Sequence, residues 1–379
     1  MCCWIKSARA VKGYSKGVQG HGVAVPLPEL ISIGDPMGEP TLLEVKNLKT
    51  HFFTDEGVAR AVDEISFSIM PGEVFGLVGE SGCGKTVTAY SILGIIPEPG
   101  RLVGGEIHFK GIKLSALDEH EWHEYRGDKL AMIFQDPQVR LNPVFKIGSQ
   151  IAELFQIHRG MKRADAWPLA VDLLERVGMP DPEARAHAYA HELSGGQAQR
   201  VMIALAIALD PELMIADEPT TALDATIQAQ ILELLEHLAE RRFSAMLLIT
   251  HDLAVVAERA DRVAVMYAGQ IIEQAQVEPL YSNPLHPYTQ GLLEALPDPH
   301  EGGALKSIPG VVPDAHNWPE GCRFAPRCPA REAYGLAICE EVQPDLIDCG
   351  DEHLVRCWLY QSHPGHEPPL DPDHPAGVW

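Results

Sequence analysis

Val74-Phe75-Gly76-Leu77-Val78-Gly79-Glu80-Ser81-Gly82-Cys83-Gly84-Lys85-Thr86 is the stretch that decides the fold. Its first five residues are a continuous apolar run, as expected of a strand buried on both faces of a parallel sheet. The next eight fit G-x-x-x-x-G-K-[ST], and an amphipathic helix is predicted from near Thr86. Strand, glycine-rich turn and helix in that order make a phosphate cradle. Gly79, Gly82 and Gly84, with Glu80, Ser81 and Cys83 between them, let backbone N–H groups turn inward at a helix N-terminus that favours anions. Lys85 then reaches the β and γ phosphates of a nucleotide, and the Thr86 hydroxyl ligates Mg²⁺.

Further along, Leu213-Met214-Ile215-Ala216-Asp217-Glu218 is a second apolar strand that ends in two carboxylates. Asp217 can hold the Mg²⁺ shell and Glu218 can polarise an attacking water. Between the two, Leu193-Ser194-Gly195-Gly196-Gln197 opens a helix predicted over Gln199 to Leu209. That is a second anion-binding helix N-terminus in a chain with one nucleotide loop, and two half-sites imply two chains.

On these residues the chain resembles the ATP-binding-cassette family. The resemblance implies that Ser194, Gly195, Gly196 and Gln197 close over the γ phosphate of ATP held by an opposite subunit. It further implies that Gln135, in Ile133-Phe134-Gln135-Asp136-Pro137, touches Mg²⁺ and the attacking water. Asp224, in Ala222-Leu223-Asp224, would lie in the loop that crosses the dimer interface, and His251, after Leu247-Leu248-Ile249-Thr250, would contact the γ phosphate. The family often stacks an aromatic ring on adenine ahead of the phosphate loop, but Val58-Ala59-Arg60-Ala61-Val62 offers none. Phe52 and Phe53 lie nearby and fit period-2 strand packing equally well. Adenine as the base is therefore implied by the family alone.

Within the family, Ile215 to Gln230, Gln135-Asp136-Pro137 with Leu141-Asn142-Pro143-Val144, and His286-Pro287-Tyr288-Thr289 with Leu292-Leu293 resemble the dipeptide and oligopeptide importers, with nickel importers as near relatives. The similarity runs from about residue 42 to 360. It implies an α/β fold: a P-loop NTPase (RecA-like) core, an inserted all-α signature subdomain and a small Cys-containing C-terminal extension. The implied activity is ATP hydrolysis with Mg²⁺, energising peptide uptake from the cytoplasmic face of the membrane. The implied partners are a second cassette subunit (a paralogue or the chain itself), two transmembrane permease subunits and an extracytoplasmic substrate-binding protein. Uptake of nickel or another small solute, and a cassette ATPase outside transport, are the alternatives.

Composition bears on that choice. Against 53 acidic side chains stand 30 basic ones, a formal charge of −23, which repels nucleic acid and anionic lipid alike. No stretch approaches the ~18 uninterrupted apolar residues of a membrane span, and Met1-Cys2-Cys3-Trp4-Ile5-Lys6 lacks an export signal's apolar run. The expected location is the cytosol, with membrane contact through other proteins.

Residues 1–40 lack periodicity and read either as a poorly ordered extension or as an overlong gene model, ahead of a cassette domain at 41–285, whose helical subdomain spans about 136–211. A carboxy-terminal region, 286–360, precedes a Pro/His-rich tail, 361–379, expected to be unpacked. His363, His366 and His374 in that tail are read as solvated. Cys83 is read as a small residue that fits its loop, open to alkylation if its thiol is exposed.

Eight cysteines are too few for a disulfide scaffold. Cys322, Cys328, Cys339 and Cys357 recur where the peptide-importer branch carries them, separated by 5, 10 and 17 residues. Thiolates so spaced could hold an iron–sulfur cluster such as [4Fe–4S], or zinc, with Cys349 as an alternative ligand. Buried free thiols are the other reading.

Overall fold

In the computed structural model, which describes residues 41–221, 223–242, 245–296 and 307–371, the apolar run Val74–Val78 lies mid-sheet. The strands are β1 (Leu43–Thr54), β2 (Gly57–Ile69), β3 (Val74–Val78), β4 (Gly100–Phe109), β5 (Ile112–Lys113) and β6 (Leu130–Ile133). They continue with β7 (Leu213–Asp217), β8 (Ala245–Thr250), β9 (Arg262–Tyr267), β10 (Gln270–Gln276), β11 (Ile347–Asp348) and β12 (Leu354–Val355). The principal helices are α1 (Lys85–Ile92), α2 (Ile147–Arg159), α3 (Arg163–Arg176), α4 (Gly195–Ile207), α5 (Ala225–Arg242), α6 (Leu253–Arg259) and α7 (Pro287–Glu294).

The larger sheet runs β11-β12-β10-β9-β3-β8-β7-β6. Strands β9, β3, β8, β7 and β6 are mutually parallel, with Val78 opposite Thr250 and Ala216 opposite Leu248. Parallel strands need helical crossovers that cover both faces, and β6, β7 and β8 are accordingly buried at every residue. The register brings the carboxyl ends of β3, β7 and β8 to one edge, where ligands bind in sheets of this kind. A four-stranded antiparallel sheet, β2-β1-β4-β5, packs beside it, with Phe67 stacked on Phe75 of β3 at 5.2 Å.

Between β6 and β7 the chain is helical: a single turn at Pro137–Arg140 leads into α2 and α3, and another at Pro182–Ala186 lies between α3 and α4. Leu173, Leu174, Ile151 and Ala152 form its buried stripe. The sequence places the signature helix at Gln199 to Leu209; it begins four residues earlier, because Ser194 caps it and Gln197 returns the bond.

The carboxy-terminal region is part of the main sheet, since β12 pairs antiparallel with β10 and β11 with β12. Glu273 of β10 is fully buried and accepts Leu285 N (2.6 Å), His286 N (2.9 Å) and His353 Nε2 (2.7 Å). The expected unpacked tail is corrected for 361–371: Gln361 is buried and bonds Asp345 O and Cys357 O, and His366 reaches Trp358 O. Its polar composition conceals enough side-chain-to-backbone bonds to hold it down. Residues 1–40, Ala222 and His374 lie outside the described residues.

Candidate nucleotide site

The turn after β3 needs glycine at two positions for steric reasons. A Cβ on Gly79 would lie 2.1 Å from Met266 O, and one on Gly84 2.3 Å from Ala61 O, both at positive φ. The loop therefore lies tight against the β9–β10 turn, whose Gly269 N–H donates to Cys83 O at 2.9 Å. Lys85 is nearly buried and its ammonium donates to Gly79 O (2.7 Å) and Glu80 O (3.1 Å). Cys83 is 1 % exposed and burial pushes its thiol up, so the condition for its alkylation is not met.

Beside the loop, Thr86 Oγ1 donates to Asp217 Oδ1 at 3.2 Å. Asp217 ends β7 fully buried, and its Oδ2 has no hydrogen-bond partner. Burial raises its carboxyl to about 6, against the Thr86 bond that lowers it, and Glu218 raises it further. A buried carboxylate oxygen with nothing to bond, next to the phosphate-loop hydroxyl, suits a hard divalent cation such as Mg²⁺.

Glu218 stands at φ 46°, in the left-handed region that residues with a side chain populate sparsely. Its N–H is held by Ile249 O at 2.8 Å. This geometry aims the carboxylate into a cleft of about 410 Å³ lined by Ala61, Ser81, Gly82, Gly84, Lys85, Thr86, Val87, Gln135, Glu218 and His251. Gln135 Nε2 donates to Glu218 Oε2 at 3.1 Å, and His251 Nδ1 lies 3.4 Å from Oε1. Two chain-distant side chains thus converge on one carboxylate, which also accepts from Thr221 Oγ1 at 2.7 Å. Sequence reasoning passed over Thr221, although its place three residues after Glu218 in a Pro-containing turn is a usable signal.

Ser194, Gly195, Gly196, Gln197 and Asp224 are not in that cleft. Ser194 is exposed and makes a capping box with Gln197, at 3.4 and 3.2 Å. Leu223 and Ile227 pack on Gly195 and Gly196, and Asp224 caps α5 through Ile227 N at 3.0 Å. The Ser194 cap and the Leu223-Asp224 stretch thus lie together, apart from the residues that line the cleft.

The cysteines are placed differently from a ligand set. Cys322, Cys328, Cys339 and Cys357 share one buried neighbourhood, with Cys322 N donating to Cys339 O at 2.8 Å. Burial first, and neighbouring thiols next, push Cys339 up to about 12, and burial pushes Cys328 up to about 11. Among the described residues, no three His, Cys, Asp or Glu side chains are grouped to hold a metal ion, and Cys349 does not complete such a group. Neutral thiols in an apolar pocket pack as small hydrophobes. Nor is any helix among the described residues long and apolar enough to cross a membrane.

The profile of the ABC transporter family matches residues 62–221, and that of the oligopeptide/dipeptide transporter C-terminal region matches 272–334. The chain is 50 % identical over 320 residues to a probable peptide ABC transporter ATP-binding protein of Sinorhizobium fredii, covering 84 % of this chain and 94 % of that protein. It is 48 % identical over 324 residues to an oligopeptide transport ATP-binding protein of Bacillus subtilis, covering 85 % and 98 %. With a dipeptide transport ATP-binding protein of Escherichia coli it shares 47 % over 317 residues, covering 83 % and 96 %. Among solved structures it is similar to a bacterial ABC transporter cassette in dimeric form, with TM-score 0.56 and 28 % identity, covering 62 % of this chain and 98 % of that one. With the phosphate loop, the paired carboxylates and the separate Ser-Gly-Gly helix cap in place, the chain belongs to the ABC transporter ATP-binding proteins, in the branch that carries the oligopeptide/dipeptide transporter C-terminal region.

Proposed function

We propose that this chain is the ATP-binding and ATP-hydrolysing subunit of an importer for dipeptides or oligopeptides. One observation carries the reading: Lys85, Thr86, Gln135, Glu218 and His251 line one cleft, while Ser194 stands on a different, exposed surface. Such a chain completes its site only face to face with a second cassette, the phosphate loop of one opposing Ser194 of the other.

The Gly79 to Thr86 loop binds the β and γ phosphates through its N–H groups and Lys85. Thr86, Gln135 and Asp217 would hold Mg²⁺, which when bound neutralises charge between the phosphates. Glu218, steadied by Gln135, Thr221 and His251, orients water in line with the γ phosphorus and draws off its proton. The bond to the β–γ bridging oxygen breaks and ADP leaves. Loss of the γ phosphate removes the group that both subunits grip, and the pair opens.

Val139, Val144 and Phe145 are 81 %, 74 % and 56 % exposed, just after Gln135. An apolar patch beside the residue that touches Glu218 suits a permease loop, so that membrane subunits sense the nucleotide. The carboxy-terminal match supports peptides as the cargo, delivered by an extracytoplasmic binding protein. Cys322, Cys328, Cys339 and Cys357 are read as packing thiols, since among the described residues no three such side chains are grouped to hold a metal ion.

Glu218→Gln tests the catalytic assignment in the assembled transporter. Hydrolysis should fall by about 10²–10⁴-fold while MgATP still binds and traps the cassette pair. Hydrolysis at the normal rate would remove Glu218 from the role of base.

A further inference from the structure

Glu80 is the one carboxylate in a loop built to hold polyphosphate. Unopposed, it would repel the ligand. Each of its polar groups is taken. The N–H donates to Tyr288 Oη at 3.0 Å, and the carbonyl accepts from Lys85 Nζ at 3.1 Å. The carboxylate receives a fork from Arg327, with Nη1 to Oε2 at 2.8 Å and Nη2 to Oε1 at 3.1 Å. Tyr288 and Arg327 lie 208 and 247 residues downstream, both in the carboxy-terminal region.

Arg327 is itself fixed. Its side chain is 5 % exposed, Nε donates to Pro309 O at 2.8 Å, and Nη2 reaches Ile308 O at 3.4 Å. The guanidinium lies 5.8 Å from the ring centre of Tyr267. Arg323, four residues earlier, ties the β9–β10 turn to β2 through Ala268 O and Asp63. The planar fork matches a carboxylate as an ammonium could not.

We propose that Arg327 is a positioning residue of the nucleotide site: its forked ion pair with Glu80 neutralises the phosphate loop's carboxylate and fixes the loop's entry, making nucleotide affinity depend on a docked carboxy-terminal region. The proposal rests on the nucleotide reading above, so MgATP binding by the unaltered chain is the control whose failure would sink that reading instead.

The test measures MgATP affinity and steady-state hydrolysis on the full chain in its assembled transporter. Arg327→Gln should weaken Kd by about 10-fold or more while kcat at saturating MgATP changes less than about 3-fold. Arg327→Lys, which keeps the charge and loses the fork, should fall between. The double variant Glu80→Gln with Arg327→Gln should return to within about 3-fold of the unaltered affinity, because the repelling charge is gone; a purely structural Arg327 would give no such rescue. Wild-type affinity in a folded Arg327→Gln, or a double variant as weak as the single one, would overturn the proposal. If Arg327→Gln does not fold, Arg327→Lys decides alone: it should bind MgATP measurably more weakly than the unaltered chain, and unaltered affinity in a folded Arg327→Lys overturns the proposal.

Discussion

Replacing Asp217 by Asn should stabilise the metal-free chain and abolish magnesium-dependent hydrolysis. The carboxyl ends a strand whose every residue is buried, and one of its oxygens has no partner. Burial lifts it from the ordinary 3.8 to about 6. Between those two values the folded chain holds a proton that the unfolded chain has released, so stability falls as pH rises through this window. Above about pH 6 the full penalty is present, about 3 kcal/mol at ~1.4 kcal/mol per pH unit. Asn removes the charge and can still accept from Thr86 Oγ1. Thermal unfolding in the presence of a chelator at pH 7.5 should therefore show the variant melting several degrees higher, at roughly 2–4 °C per kcal/mol. The gain should shrink toward pH 5 and disappear only below about pH 3, where the carboxyl is protonated in the folded and the unfolded chain alike. A variant less stable than the parent at pH 7.5, or a gain indifferent to pH, would refute the assignment of Asp217 as a strained, cation-awaiting acid.

Gly84→Ala should cost about 2–3 kcal/mol or more and abolish nucleotide binding, since the added Cβ meets Ala61 O at positive φ; circular-dichroism melting and nucleotide titration measure both, and unchanged binding would show that the loop can shift. Glu273→Ala leaves the buried N–H groups of Leu285 and His286 unanswered, and should cost about 2–5 kcal/mol. Limited proteolysis should then cleave near residue 285 well before the cassette is attacked, and uniform resistance would contradict the role of Glu273 as the latch.

Local patterns carried the nucleotide site because its grammar is local. Gly79, Gly84, Lys85 and Thr86 are neighbours in the chain, and their task follows from backbone conformation and side-chain type alone. Asp217 and Glu218 were legible for the same reason, as polar residues capping an apolar strand. Strands β4 and β10 have no such local signal, because β4 contains Gly100, Gly104 and Gly105 and β10 contains Gln270, Glu273, Gln274 and Gln276. Glu273 survives in the core only through partners at 285, 286 and 353, which no window around it contains.

What the sequence by itself determined was the chemistry: a strand–loop–helix phosphate cradle, a strand ending in two acids, and a second helix N-terminus that a single chain has no use for. Tertiary structure decided which distant residues share a charge or a hydrogen bond. It set the left-handed turn that aims Glu218 at Gln135 and His251, and it brought Arg327 across 247 residues to Glu80. Short-range conformational preference is written residue by residue, whereas the pairing of buried charges depends on how sheet and carboxy-terminal region pack. Only the folded chain fixes that.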